Sequence, residues 1–284
     1  MRIDTRRGFL KSAIGAAGFA NATAARRDYK ALVCLFLRGG NDGSNMVIPV
    51  ATSVQNYETY KEVRGSLSLP RGSLLPIETQ SGDVYGLHPR LTALQSLFRR
   101  GRAAIMANVG VISARAGNRY SHADQQARWE RALPRATHPP MTLEPIVRAI
   151  AMNSRRASNR EVFCCNLDGF DTHGNQLETQ DGLMAKLDRA VATLHSAMER
   201  LGTNSQVTLF TASEFGRALR PNSTGGSDHG WGNHQFIIGG ACRGGEVYGT
   251  FPSLECSAMT PTTGVDQYST DLAHWLVRKS SDTL

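Results

Sequence analysis

Apolar and polar positions alternate in blocks along this chain. Ala31 to Leu37 reads ALVCLFL, an unbroken apolar run closed by Arg38-Gly39-Gly40, which predicts a strand buried on both faces. From Arg90 to Arg100 the apolar residues fall at Leu91, Leu94, Leu97 and Phe98, one face of a helix, and after Gly101 a second strand-like run covers Ala103 to Val109. Val162 to Leu167 predicts another strand, and Gly182 to Leu201 a long helix facing inward through Leu183, Leu187, Ala190, Val191 and Leu194. Val207 to Ala212 and Phe236 to Ile238 supply the last strands, while Leu133 to Arg160, rich in Pro, Arg, Ser and Asn, predicts a loop-like connection. Strands alternating with helices imply βαβ units. The expected fold is α/β, with a mostly parallel central sheet flanked by helices.

The first residues follow a different pattern. Thr5-Arg6-Arg7-Gly8-Phe9-Leu10-Lys11 places paired arginines before a short run of mostly Ala and Gly, and small residues follow at Ala22-Thr23-Ala24-Ala25. Charged region, weakly apolar region and small-residue site in that order predict a twin-arginine signal over residues 1–25 and a single domain over 26–284. The apolar run falls short of the roughly 20 residues that span a bilayer, and no later segment of that length lacks charges, so no stable membrane insertion is expected. The export machinery that reads twin arginines is the expected partner, and the location is periplasmic or secreted.

Composition narrows the function classes. The chain of 284 residues has a formal charge of +8; without residues 1–25 it keeps 28 basic and 23 acidic residues, or +5. The basic residues are scattered (Arg99, Arg100, Arg102, Arg155, Arg156) without interleaved aromatics, so nucleic acid is not expected as a partner. Five cysteines, Cys34, Cys164, Cys165, Cys242 and Cys256, lack zinc-knuckle spacing. The first three sit in apolar runs and read as small hydrophobes, and Cys242 with Cys256 reads as a candidate bridge.

Polar clusters stand where the expected strands end. They are Gly39-Gly40-Asn41-Asp42-Gly43, Asp168-Gly169-Phe170-Asp171-Thr172-His173, Ser213-Glu214-Phe215-Gly216-Arg217 and Asp228-His229-Gly230-Trp231-Gly232-Asn233-His234. In open parallel sheets these ends share one edge, where ligands bind. Carboxylates and imidazoles without cysteine suit a divalent metal ion, zinc or manganese, or calcium if oxygen donors dominate. Asp42 reads as a ligand or a turn cap. Glu214 reads as a ligand or as half of a salt bridge with Arg217, and either Asp168 or Asp171 fills the loop position. His173 in a Gly/Asn-flanked loop, Asp228, and His229 with His234 complete the candidates. Ser121 and His122, at an expected helix start, would meet unpaired N–H groups suited to an anion; alternatively Ser121 caps that helix with Asp124. His88, His138, His195 and His274 lack polar company and read as structural.

Taken together, the segments Arg38 to Gly43, Ser121-His122-Ala123-Asp124-Gln125, Phe170 to Gln176, Ser213 to Arg217 and Asp228 to His234 resemble the exported family of the domain of unknown function 1501. That family in turn resembles a remote branch of the alkaline phosphatase and sulfatase superfamily. The resemblance implies an alkaline-phosphatase-like fold. It places Asp42, Ser121, Asp171 with His173, and His234 or His229 on the superfamily's site positions, and the expected set is Asp42, Asp171, His173, Glu214, Asp228 and His234 as metal ligands with Ser121, His122 and His229 as catalytic residues. It also implies a metal-dependent hydrolase acting on a small anionic phosphate or sulfate ester. One departure stands out: Glu214-Phe215-Gly216 occupies a strand end where the superfamily carries Asp-His-Gly, so phenylalanine replaces one imidazole ligand. A non-catalytic exported binding protein that keeps the fold and one structural cation is the alternative. If the N-terminal reading is right, Arg6→Lys combined with Arg7→Lys strands the protein in the cytoplasm, as fractionation of expressing cells would show; undiminished export would refute the signal.

Overall fold

The structure, a computed structural model, describes residues 28–53, 55–112, 118–155, 159–239, 242–254 and 259–278. The expected signal segment and Cys256 lie outside the described residues. In chain order the elements are β1 (Lys30–Arg38), α1 (Gly43–Met46), β2 (Val47–Ala51), α2 (Tyr57–Arg64), β3 (Leu75–Glu78), β4 (Val84–Leu87), α3 (Thr92–Arg99), β5 (Ala103–Gly110), α4 (His122–Ala132), α5 (Leu143–Asn153), β6 (Arg160–Asp168), α6 (Gln176–Leu201), β7 (Val207–Ala212), β8 (Asn233–Ile238), β9 (Val247–Tyr248), β10 (Thr263–Gly264) and α7 (Val265–Val277).

The apolar run of β1 is explained by what lies on its two faces. Ala31, Val33, Leu35 and Leu37 point into one core cluster, shared with α3, α5 and α6. Leu32, Cys34 and Phe36 point into the other, shared with Trp129 of α4 and with Tyr268, Leu272 and Trp275 of α7. Side chains alternate faces along a strand, so a strand covered on both sides must be apolar throughout. The result is a helix–sheet–helix sandwich. Its main sheet has the order β10-β5-β8-β7-β1-β6, with β9 against β5. All its pairings are parallel except those of β8, which runs antiparallel to both β5 and β7. A smaller antiparallel sheet, β2-β4-β3, lies beside it.

The reversed direction of β8 has a geometric consequence. The loops after β1, β5, β6 and β7 leave from one edge of the sheet, and the loop entering β8 arrives at that same edge. The strand β5 carries an irregularity there. Asn108 adopts φ +53, and the register with β8 shifts between Met106 and Val109. Ala104 and Met106 share a face, and after this bulge Val109 joins that face rather than the opposite one.

Two expectations require correction. Residues 133–160 are not loop-like throughout, because they contain the helix α5. Ile146 and Ile150, four residues apart, bury one face of it, while Pro145 sits in the first turn, where its missing N–H costs nothing. Helix α6 also starts six residues before the expected Gly182. Its first turns are polar, and their buried residues are Gln176 and Gln180, which hydrophobic periodicity cannot register. The cysteines Cys34, Cys164, Cys165 and Cys242 are free thiols. Among the described residues no helix is long and apolar enough to cross a membrane.

Helix α3 begins without a capping side chain of its own, since Leu91 stands at its N-cap. Asp188, buried on α6, supplies the cap from outside: its carboxylate accepts from the backbone N–H of Ala93 (3.0 Å) and Leu94 (3.0 Å) and from the Thr92 hydroxyl (3.2 Å). It thus meets orphan donors of the first turn and a favourable dipole, and locks α3 to α6. Asp188→Ala is expected to cost about 2 kcal/mol in urea unfolding. Asp188→Asn, which keeps one acceptor oxygen, should cost less; equal losses would refute a capping role.

Candidate functional site

The loop after β1 turns sharply. Gly39 and Gly40 have φ of +117° and +88°, values that favour glycine. A Cβ on Gly39 would strike the backbone of Asp171, and one on Gly40 the ring of Phe215. The turn aims two backbone N–H groups at Glu214, whose carboxylate accepts from Gly39 (3.0 and 3.2 Å) and Gly40 (3.3 Å). Glu214 is almost fully buried and follows β7 directly, so these amides replace the water it has lost. The expected salt bridge between Glu214 and Arg217 does not form. Arg217, also buried, donates to Asp171 Oδ1 at 2.7 Å, to the carbonyl of Gly39 at 3.3 Å and to the carbonyl of Ser227.

Asp171 is where the loops meet. Its Oδ1 lies 3.0 Å from His173 Nε2 and 3.1 Å from His229 Nε2, and its Oδ2 lies 3.5 Å from His122 Nε2. His173 Nε2 and His229 Nε2 are 3.0 Å apart. The ligand atoms of His122, Asp171 and His229 all fall within 4.8 Å of one another. Burial alone would raise the Asp171 carboxyl, but hydrogen bonds from Arg217 and His229, with the positive charge of Arg217 and His173, outweigh it and hold the group below the usual carboxylate range. Phe215 forms an apolar floor, its ring 4.3 Å from that of His229 and 4.9 Å from that of His122.

The outer nitrogens of the three imidazoles are equally informative. His229 Nδ1 stands 2.7 Å from the carbonyl oxygen of Tyr120. His122 Nδ1 is 3.6 Å from Glu214 Oε1, and His173 Nδ1 is 3.7 Å from Asp228 Oδ1. A carbonyl only accepts, so His229 carries a proton on Nδ1; in the charged ring its Nε2 donates to Asp171, and in the neutral ring it offers a lone pair to the centre. That lone pair faces the lone pairs of Asp171 Oδ1 and the nitrogen of His173. Contacts this short need either a proton on His173 Nε2, shared with its two neighbours, or a cation between the three atoms. Metal donors about 2.1 Å from an ion stand roughly 3.0–3.4 Å from each other, which matches these separations. An imidazole whose outer nitrogen is held by oxygen, as in His229, is the usual form of a metal-ligating histidine, and the outer nitrogens of His122 and His173 stand next to carboxylates. The donor set fits a divalent cation.

Other candidates lie elsewhere. Asp42 is fully buried in an ion pair with Arg64 and also accepts from Gln176 at 2.6 Å, while its Oδ1 caps α1 through the Asn45 N–H. His234 is buried, stacked on Phe251 at 4.6 Å, with Nδ1 accepting from the Asn108 N–H at 3.2 Å. Asp168 is exposed beside Arg38. Ser121 caps α4, its hydroxyl accepting from Asp124 N–H at 3.3 Å, and lies in the chain between Tyr120 and His122, both of which touch the cluster. The contribution of Tyr120 is a backbone carbonyl, which no side-chain pattern announces. His138, read as lacking polar company, meets Glu161 at 3.0 Å.

A family model described as "Protein of unknown function (DUF1501)" matches residues 121–277, more than half of the chain. The chain belongs to the DUF1501 family. The matched segment holds every residue of the His122–Asp171–His173–His229 cluster together with Glu214 and Arg217, whereas the Arg38 to Gly43 motif precedes it. No curated protein matches this DUF1501 chain. Among solved structures it is similar to the C-terminal periplasmic domain of EptC from Escherichia coli in complex with Zn, at 9% identity over 75% of this chain and 73% of that one, with a TM-score of 0.38. It is similar to murine ectonucleotide pyrophosphatase/phosphodiesterase 5, at 10% identity over 87% and 95% with a TM-score of 0.35. It is also similar to the lipoteichoic acid synthase LtaP from Listeria monocytogenes, at 8% identity over 92% and 74% with a TM-score of 0.40. At these scores the likenesses assign no activity to the DUF1501 chain.

The burial of His234 generates a pH prediction. Loss of solvent pushes its imidazole down from the ordinary 6.5 to about 3. The fold therefore favours the neutral ring. Its contribution is fully present above about pH 6.5 and shrinks by about 1.4 kcal/mol per pH unit as pH falls toward 3. In His234→Asn, whose side-chain oxygen can still accept from Asn108, urea unfolding between pH 7 and 4 should show a flatter acid limb. An unchanged slope would refute this role.

Proposed function

We propose that this protein is an exported hydrolase that holds a divalent cation through His122, Asp171, His173 and His229 and cleaves a small anionic phosphate or sulfate ester. One observation carries the reading: three imidazoles present Nε2 to one carboxylate while their Nδ1 atoms face oxygens of Tyr120, Glu214 and Asp228. Donors dominated by imidazole favour zinc or manganese over calcium. Once bound, the cation would supply Lewis acidity to the ester and to water at the site. Asp42 and His234, held in buried contacts of their own, are left out of this ligand set.

The chain's own groups do the rest. Arg217 keeps Asp171 ionised and adds positive charge behind it, in keeping with the ester class implied by the superfamily resemblance. Phe215 excludes water from beneath His122 and His229 and leaves no imidazole there for a second ion. Asp171, His122 and His173 keep an open side to solvent, through which substrate would enter. Ser121 caps α4 through a lone pair and is the proposed nucleophile: its oxygen would bond to the phosphorus or sulfur, the ester alcohol would leave, and the serine proton would pass through water at the open side of the site to that alcohol. That same capping bond favours the second reading, a binding protein with a structural cation, in which Ser121 does nothing else.

The two separate in three measurements on the full chain: zinc binding by calorimetry, melting temperature against zinc, and turnover of chromogenic phosphate and sulfate esters. The wild type should bind zinc and melt higher with it, by about 2.7 kcal/mol of stability at a hundred times Kd. His173→Ala should weaken zinc binding at least tenfold and abolish that shift. Ser121→Ala should abolish turnover and leave zinc binding intact if the serine is the nucleophile. Retained turnover with about 1 kcal/mol less stability would mean a cap alone. A wild type that binds no zinc or manganese would overturn the proposal.

A further inference from the structure

Glu214 stands at a position where the sequence points to a metal ligand, yet its surroundings describe a different task. Both oxygens accept from the backbone: Oε1 from Gly39, and Oε2 from Gly39 and Gly40. The side chain is buried, and no lysine or arginine touches it among the described residues. Among the described residues the ionisable group against it is His122, whose Nδ1 lies 3.6 Å from Oε1, close enough to attract a proton on Nδ1 though longer than a hydrogen bond. On its other side His122 turns Nε2 toward Asp171 at 3.5 Å. A neutral imidazole carries one proton, and these two carboxylates compete for it. Asp171 already accepts from Arg217, has His173 and His229 beside it and is partly solvated. Glu214 has only neutral amides and lies in the dry interior, where a donor counts for more.

We propose that Glu214 is a positioning residue that places the His122 proton on Nδ1 and so leaves Nε2 free to face the Asp171 cluster. This deepens the metal-site reading and rests on it for one consequence, tighter cation binding. The tautomer itself belongs to the metal-free chain. Glutamine at this position has one acceptor oxygen where glutamate has two. The N–H groups of Gly39 and Gly40 claim that oxygen, so the amide NH2 would point at His122 Nδ1 and force it to accept, which moves the proton to Nε2.

The test is nitrogen-15 NMR of histidine-labelled, metal-free full chain at pH 9, where ordinary imidazoles are neutral, with zinc calorimetry alongside. In the wild type the His122 signals should report a protonated Nδ1. In Glu214→Gln they should report a protonated Nε2, while the His229 signals stay as they were, and zinc binding should weaken by about 10–100-fold. A merely structural glutamate would alter stability without moving the tautomer. A wild-type proton on Nε2, or a tautomer unmoved in folded Glu214→Gln, overturns the proposal. Should that variant fail to fold, the wild-type tautomer decides alone. If the tautomers behave as stated and no zinc binds, the metal reading falls and the role of Glu214 stands.

Discussion

A single buried guanidinium ties the working edge of this sheet together. Arg217 stands on the loop after β7 and donates to Gly39 after β1, to Asp171 after β6 and to Ser227 in the segment leading to β8. Chain around residues 39 and 171 is thereby held to the segment between β7 and β8 by one rigid fork. Burying that charge would be costly unless its donors were met, and they are met by two carbonyls and one carboxylate; Nε alone lacks a partner. The same fork sets the electrostatics of the site. It keeps Asp171 ionised against the cost of partial burial, and an ionised Asp171 is what draws three imidazoles toward one point. Packing of the edge and chemistry of the edge therefore depend on the same bonds.

A second buried ion pair shows that not every acidic residue at this edge serves the cluster. Asp42 and Arg64 are both fully buried, and Arg64 also donates to the carbonyl oxygens of Ala218 and Leu219 and to Asn45. Each of its three guanidinium nitrogens has an acceptor and the carboxylate is shared with Gln176. Such a pair is expensive to break because either partner alone would be an uncompensated charge in the interior. It fixes α2 against the loop after β7 and sets the start of α6, which carries Asp188 to its place as the external cap of α3. The polar first turns of α6 thus have a packing role that apolar periodicity hides.

How much of this was legible in the sequence follows from the physics of each signal. A strand covered on both faces leaves a continuous apolar run, so β1, β5 and β7 could be read almost to the residue. Glycines beside acidic and imidazole groups mark loops at strand ends, so Asp171, His173, Glu214 and His229 could be named, and the sheet brings their loops to one edge. The direction of β8 carries no such signature. A strand of six residues, polar in its first half and apolar in its second, reads the same either way, although only the antiparallel choice brings His229 to the edge. Partner choice was also hidden. Arg217 lies three residues from Glu214 and bonds to Asp171, because the Gly39–Gly40 turn offers Glu214 two amides that need no cation. Asp42 and His234 stand in motifs as promising as the others, and only burial against Arg64 and Phe251 separates them from the cluster.

The phenylalanine at 215 closes the account of the site. An imidazole there would add a donor beneath His122 and His229 and room for a second cation. The aromatic ring instead contributes no donor and no charge, and it removes solvent from one side of both histidines. Less solvent lowers the local dielectric, which strengthens the hold of Asp171 on anything positive at the centre and the hold of Glu214 and the Tyr120 carbonyl on the outer nitrogens. With Phe215 in this place the cluster is one carboxylate and three imidazoles around a single point, backed by a fixed arginine. At that point one carboxylate is balanced by one guanidinium, so the protonation of the three imidazoles sets the net charge of the cluster.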